Sequence, residues 1–499
     1  MFNSPEHVFT PSMNSMPNYE LGMKMPAFEA VVWFPEHVRY LLPIVIVVIM
    51  SVRKSLRVPY ILVALLSVPC LIGYAAWESR ELARQQGYDM SLPSIREMME
   101  NYIATGQGPH PLDVIESKKY PPILGYYELR RYLGSAFMGF IVHNVGQDQV
   151  YIAEGYNKGH DWFQATLGEP MFYSSGFYDE LFNCSKTTSC KYKESLHDGL
   201  NNAQLRKMQY IVHALGAKPG MQLLDIGSGW GRFASYVGEQ VPDINVTGVV
   251  AASDLADYAK RMNKKHGNKV NFLLKNFFDD DLGLPDRSFD VISAIEMSEH
   301  AGIVNYPVFL RKVHRLLKDD GVFYIQCAGL QRGYAKGYNN FEELIWGLFM
   351  EENVFPGADS STPIGWVATH LERAGFEIQA VHNMGVSYGR TLNAWRLVWE
   401  EKKDEIVKVY GERSWRRWHV FASWCTDVAR RGGSTVNFIT VVKAGAFRAR
   451  TDAQARLAPG AWTPGPLGKL LPREGDGSAI VSEQVIAAPF KDDYPTPNL

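Results

Sequence analysis

Five short apolar runs lie in the middle of the chain: Leu223–Ile226 and residues 244–250, 270–274, 289–294 and 321–327. Each is rich in Val, Ile, Leu or Phe and short for a helix, the pattern of strands buried on both faces. Helical stretches separate them, among them the amphipathic segment Tyr306–Leu317. Strands alternating with helices predict an α/β fold with a doubly wound, mostly parallel sheet. Ligands bind such sheets at the carboxyl ends of the strands.

The first strand runs into Asp225-Ile226-Gly227-Ser228-Gly229-Trp230-Gly231, and a helix is expected from about Arg232. Gly227, Gly229 and Gly231 let the backbone turn sharply and come close to a ligand. The Asp-x-Gly-x-Gly-x-Gly spacing is one residue tighter than the dinucleotide fingerprint and favours S-adenosylmethionine (SAM) over NAD. Asp254, after the second strand, stands where an acidic residue meets a ribose hydroxyl. Asn276, Phe277 and Asp279 follow the third strand, where an adenine can be stacked and hydrogen-bonded. The fourth strand ends at Glu296-Met297-Ser298-Glu299-His300. Every one of these positions falls at a strand's carboxyl end.

Charge narrows the partners. Fifty-one basic against 53 acidic residues leave a formal net charge of -2 over 499 residues, which argues against nucleic acid and for small molecules or lipids. Cys70, Cys184, Cys190, Cys327 and Cys425 form neither a disulfide framework nor a zinc pattern. They read as reduced thiols, and no metal is expected.

Val58–Trp77 is a 20-residue stretch without a charge, the length that crosses a hydrocarbon core of ~30 Å. Leu41–Val52 is apolar over 12 residues and spans only if Arg39 and His37 snorkel; a re-entrant or tilted segment is the alternative. A buried helical hairpin is the non-membrane reading of both. Arg53, Lys54 and Arg57 between the two stretches place that loop in the cytosol by the positive-inside rule, whereas SAM supply favours a catalytic domain facing the cytosol. The resulting division is a disordered N-terminus (1–27), membrane-anchoring apolar segments (28–80) and a juxtamembrane helical region (81–150). The catalytic domain (151–444) and a Pro-, Gly- and Ala-rich disordered tail (445–499) follow. Phe341, Leu344, Ile345, Leu348 and Phe349 recur at helical spacing, as core packing or as a lipid-admitting lid. Trp415, Trp418 and Trp424, interleaved with Arg416, Arg417, Arg430 and Arg431, predict a solvated helix face, with anionic headgroups as the alternative.

Several longer strings act together. Residues 156–163 (Tyr-Asn-Lys-Gly-His-Asp-Trp-Phe) and Leu167-Gly168-Glu169-Pro170-Met171 lead into Tyr173-Ser174-Ser175-Gly176. Glu296 to Gly302 is similar to E-M-x-E-H-x-G, and Gly385 to Trp395 contains Y-x-x-T-L-x-x-W with Tyr388 at its head. With residues 324–330 and 355–359, they make the chain from about Tyr151 to Lys443 resemble the cyclopropane-fatty-acid synthase family of SAM-dependent methyltransferases. The fungal sphingolipid C-9 methyltransferases are the branch it resembles in particular.

That resemblance implies a class I SAM-methyltransferase domain behind an N-terminal membrane hairpin. The implied reaction adds a methyl group to a double bond in the sphingoid base of a ceramide or glucosylceramide, in the endoplasmic reticulum or Golgi. Tyr173 and Ser174 are implied at the cofactor, together with Asp225, the glycine turn, Asp254, Asn276 and Phe277. Glu299, His300 and Tyr388 are implied to stabilise the carbocation and remove a proton. In related cyclopropane synthases a bicarbonate ion serves as base, held in part by a cysteine and a histidine; here Ser175 and Gln326 stand at those positions, which sets bicarbonate and ring closure in doubt. Leu255 stands where many relatives have a glutamine. The alternatives are cyclopropanation or methylation of phospholipid acyl chains, N-methylation of an amine, and a non-catalytic lipid-binding protein.

Overall fold

The computed structural model describes residues 73–465 except 126, 129, 132–149, 153–154, 157, 169, 179–195, 266, 268–269, 332–339 and 359. The chain divides into two units, Met1–Ala75 and Ala76–Leu499. Of the first only residues 73–75 are described, and they are helical. The apolar stretch Leu41–Val52 and most of Val58–Trp77, the expected membrane hairpin, therefore lie outside the described residues. Among the described residues no helix is long and apolar enough to cross a membrane.

Seven strands form one sheet in the order β3-β2-β1-β4-β5-β7-β6. They are β1 (Gln222–Ile226), β2 (Asn245–Val250), β3 (Val270–Leu274), β4 (Phe289–Ile295), β5 (Leu317–Leu330), β6 (Phe376–Asn383) and β7 (Ser434–Lys443). The five expected strands are all present and parallel to one another. β5 is longer than its apolar run because Lys318, Asp319 and Asp320 open it on the surface. β7 runs antiparallel between β5 and β6, so the sheet is mostly parallel. Because β1 lies between β2 and β4, the chain leaves it in opposite directions on the two sides, and a crevice opens at their carboxyl ends.

Three expectations are corrected. The tail is not disordered from 445: Phe447–Arg456 is a helix with Ala449 and Ala453 buried. Arg456 anchors it, its Nε and Nη2 donating to the Ala214 carbonyl at 3.3 and 3.2 Å. Nor is the tryptophan-rich segment a solvated face or a headgroup contact, because Trp415, Trp418 and Trp424 are buried in the helix Glu412–Arg430. Trp415 Nε1 donates to the Trp399 carbonyl and Trp399 Nε1 to that of Trp415, both at 3.1 Å, which locks this helix to Gly385–Glu401. Finally, the helix Asn340–Asn353 buries Phe341, Ile345, Leu348 and Phe349, so the lid reading gives way to core packing.

Candidate active site

A cavity opens at the carboxyl ends of β1 to β4, where Gly227, Gly229, Leu255, Asn276, Glu296 and His300 contribute to its lining. The three glycines of the turn after β1 are required for different reasons. All have left-handed φ, of 72°, 55° and 78°, which disfavours any side chain. A Cβ on Gly227 would stand 2.3 Å from Met297 Cγ, and one on Gly231 2.6 Å from Phe272 Cζ. A Cβ on Gly229 would meet nothing within 4 Å. Gly227 and Gly231 are thus demanded by packing, whereas Gly229 leaves open the space that a ligand would use.

Asp225 supports this turn from below. It is buried and accepts the Ser293 hydroxyl at 2.7 Å. Burial pushes its carboxyl up to about 6, although the hydroxyls of Ser293 and Ser228 oppose the shift. The Gly227 and Ser228 amides both donate to the Val249 carbonyl at 3.0 Å, which ties the turn to β2.

At the end of β4 two carboxylates face one another's fields. Glu296 has φ 49°, a left-handed conformation that costs a residue with a Cβ about 1–2 kcal/mol. Its Oε1 accepts the Ser175 amide at 2.8 Å and Gln326 Nε2 at 2.6 Å. Gln326 is oriented by the Tyr324 hydroxyl, which donates to its Oε1 at 3.3 Å. Behind them lies Lys207, fully buried and donating to Ser174 Oγ. Burial pulls the Lys207 ammonium well below the ordinary lysine range, and the charge of Glu296 resists that shift.

Glu299 lies one short turn further on, in the 3-10 segment Ser298–His300. Its Oε1 accepts the Ala328 amide at 2.6 Å. Burial, with the charge of Glu296 beside it, pushes Glu299 up to about 8. His300 Nε2 lies 3.0 Å from the Tyr156 hydroxyl, and Tyr156 sits among Phe163, Trp230 and Phe355, with ring centroids 5.3 to 6.2 Å away. Burial raises the Tyr388 hydroxyl well above the tyrosine range, and both Glu296 and Glu299 add to the shift.

Most of the expected site residues are therefore brought together: Gly227, Gly229, Tyr173, Asn276, Phe277 and His300 around the cavity, Asp225 and Gly231 within the turn that frames it, Ser175 and Gln326 on Glu296 by hydrogen bonds, and Glu299 and Tyr388 within reach of its charge. Two are not. Asp254 is exposed in the first turn of the helix Ser253–Lys265 while Leu255 lines the cavity, and Ser174 is turned away toward Lys207. Sequence reasoning missed Glu296, Lys207 and Tyr156 as site residues. Lys207 carried a signal, since it falls on the stripe Leu200, Ala203, Lys207, Ile211, Ala214, whose other members are apolar and buried.

Outside the cavity, His110, Glu400 and His419 place their side-chain donor atoms within 4.8 Å of one another, the residue types of a zinc site. Nε2 of His110 and of His419 lie 3.0 and 2.7 Å from Glu400 Oε1. The far ring nitrogen decides what this can be. His110 Nδ1 accepts the Leu112 amide at 3.1 Å, so the ring proton is on Nε2, whereas a ligating histidine gives the proton of its far nitrogen to an acceptor. Arg396 Nη1 also donates to the same Glu400 oxygen. The cluster is a hydrogen-bonded hub that joins Tyr102 and His110 to the helices Gly385–Glu401 and Glu412–Arg430.

Strand order, glycine turn and cavity define a Rossmann-like SAM-methyltransferase fold. The chain belongs to the mycolic acid cyclopropane synthetase family, whose sequence profile matches residues 143–439. Sphingolipid C9-methyltransferase 2 of Gibberella zeae is 34% identical over 306 residues, covering 61% of this chain and 55% of that protein. Sphingolipid C9-methyltransferase A of Emericella nidulans is 33% identical over 351 residues, 69% of this chain and 64% of that one. The chain thus spans between half and two thirds of the length of these relatives. Among solved structures, mycolic acid cyclopropane synthase CmaA1 complexed with SAH and CTAB superposes with a TM-score of 0.52 at 25% identity, covering 59% of this chain and 98% of that one.

Proposed function

We propose that this chain is a SAM-dependent C-methyltransferase acting on a double bond in the sphingoid base of a membrane sphingolipid, a ceramide or glucosylceramide. The observation that carries the reading is the juxtaposition of a glycine-turn cavity with two carboxylates, Glu296 and Glu299, and the Tyr388 hydroxyl, all three residues partly buried. The cavity suits SAM: the space over Gly229 is open, and Asn276 and Phe277 line the end where an adenine would lie. When bound, SAM supplies a sulfonium methyl electrophilic enough to alkylate an alkene, a weak nucleophile.

The remaining work falls to the chain's own residues. Alkylation leaves a cation on the neighbouring substrate carbon, which Glu296, Glu299 and the Tyr388 hydroxyl stabilise electrostatically. The aromatic packing of Tyr156, Phe163, Trp230 and Phe355 keeps water from trapping it. A carboxylate then removes a proton. Bicarbonate, the base of related cyclopropane synthases, does not fit here, because the Ser175 amide and Gln326 Nε2 already hold a carboxylate oxygen of Glu296.

A bilayer substrate accords with an anchor, and the uncharged stretch Val58–Trp77 supports one, with the catalytic domain facing the cytosol in the endoplasmic reticulum or Golgi. The test is mass spectrometry of lipids from cells supplied with a SAM precursor bearing a deuterated methyl. Label with all three deuterons on sphingoid bases, absent in Glu299→Gln, supports the reading. Two deuterons on acyl chains would mean cyclopropanation, and label on an amine N-methylation; either would overturn it.

A further inference from the structure

We propose that Glu296 is the base of this site, a carboxylate built into the chain and seated where a free anion would otherwise be held. The inference rests on the proposed alkene methylation. Glu296 lines the cavity, and two N–H donors, the Ser175 amide and Gln326 Nε2, converge on its Oε1 at 2.8 and 2.6 Å. Such a pair is what a bound carbonate-type anion requires. Its backbone is held left-handed, a conformation that a side-chain-bearing residue keeps only when its surroundings over-determine it.

The two carboxylates differ in what faces them. Glu296 has the two N–H donors and the positive charge of buried Lys207. Glu299 has the Ala328 amide and the Ser298 hydroxyl, and the negative charge of Glu296. Burial raises both carboxyls above the ordinary range; the two N–H donors and Lys207 oppose that rise at Glu296, whereas the charge of Glu296 adds to it at Glu299. Environments that push two carboxyls apart assign them different roles, and the converging donors give Glu296 that of proton acceptor. In the final step the C–H bond on the methylated carbon breaks, its electron pair closes the new double bond onto the cationic carbon, and Glu296 becomes a carboxylic acid. Atoms and charge balance without an external base.

Glycine is the informative substitution at this position, since it removes the carboxylate, relieves the left-handed backbone and leaves both donors facing an empty seat. Full-length wild type and Glu296→Gly are assayed for deuterated methyl transfer to sphingolipid in buffer freed of carbon dioxide, then with added bicarbonate or formate. Wild-type turnover is expected to be indifferent to bicarbonate. Glu296→Gly is expected to lose about 100-fold or more and to regain about tenfold or more with either anion, a rescue that an unfolded protein cannot show. Wild-type activity that requires bicarbonate, or a glycine variant active without it, overturns the inference. Absence of labelled lipid from wild type under every condition, bicarbonate included, instead removes the methylation reading on which the inference rests, whereas wild-type label that appears only with bicarbonate overturns the inference alone.

Discussion

Gly229 and Gly231 stand two residues apart in one turn, yet alanine should damage them in opposite ways. At Gly231 the new methyl would lie 2.6 Å from Phe272 Cζ and 2.9 Å from Ala259 Cβ, so an overpacking penalty of about 1–3 kcal/mol adds to a left-handed backbone cost of about 1–2 kcal/mol. Gly231→Ala should therefore lose about 2–5 kcal/mol of stability. At Gly229 only the backbone cost applies, since a Cβ there meets no atom within 4 Å, and the expected loss is about 1–2 kcal/mol. That methyl projects into the crevice, however, where it competes with the cofactor for space, and affinity should fall about tenfold, or ~1.4 kcal/mol. Urea denaturation of the detergent-solubilised chain measures the first quantity and calorimetric titration with S-adenosylhomocysteine the second. Equal destabilisation by the two variants, or unchanged binding by Gly229→Ala, would refute the assignment of one glycine to packing and the other to the ligand.

Two further outcomes follow from buried charge elsewhere. If the His110 tautomer is as the Leu112 amide dictates, a chelator leaves the thermal midpoint unchanged, whereas Tyr102→Phe, which removes the hydroxyl against His419 Nδ1, lowers stability by about 1 kcal/mol; a midpoint that rises with added zinc would contradict the hub. Burial, then the charge of Glu342, pushes Glu343 up to about 8, against about 4.3 in an unfolded chain. The folded protein binds this proton more tightly, so the stabilisation is complete below about pH 4 and is lost as pH rises toward 8. Glu343→Gln, fixed in the neutral form, should gain on wild type by at most about 2–3 kcal/mol between pH 6 and 9; parallel melting profiles for the two proteins would show that Glu343 is ionised throughout.

Much of this molecule was legible because parallel strands buried on both faces are uniformly apolar and because left-handed turns select glycine. Where burial and composition part company, legibility ended. β6 runs from buried at Phe376 to exposed at Val381–Asn383, without the alternation that marks a half-buried strand. β7 is buried at every residue, yet it carries Thr435, Asn437, Thr440 and Lys443, which a hydropathy reading discounts although Thr435 pairs with Asn383 at 2.8 Å. Asp254 was misplaced by one position: successive residues of a helix point about 100° apart, and the helix that begins at Ser253 turns Asp254 to solvent and Leu255 to the cavity.

Glu296 shows the limit most sharply. In the sequence it and Glu299 are two acids three apart at a strand end, and resemblance singles out the second. What separates their chemistry is a φ of 49°, which no residue type announces, and two donors brought from more than a hundred and from thirty residues away in the chain. The strained angle and the donors depend on each other. The Ser175 amide and Gln326 Nε2 hold Oε1 while the Gln326 carbonyl accepts the Glu296 amide at 2.8 Å, and together these contacts keep a non-glycine residue left-handed; without that angle the N–H groups would face an empty seat. Exchanging Gln326 for leucine should cost activity more than stability, because it removes one of the two donors that hold the Glu296 carboxylate at the cavity.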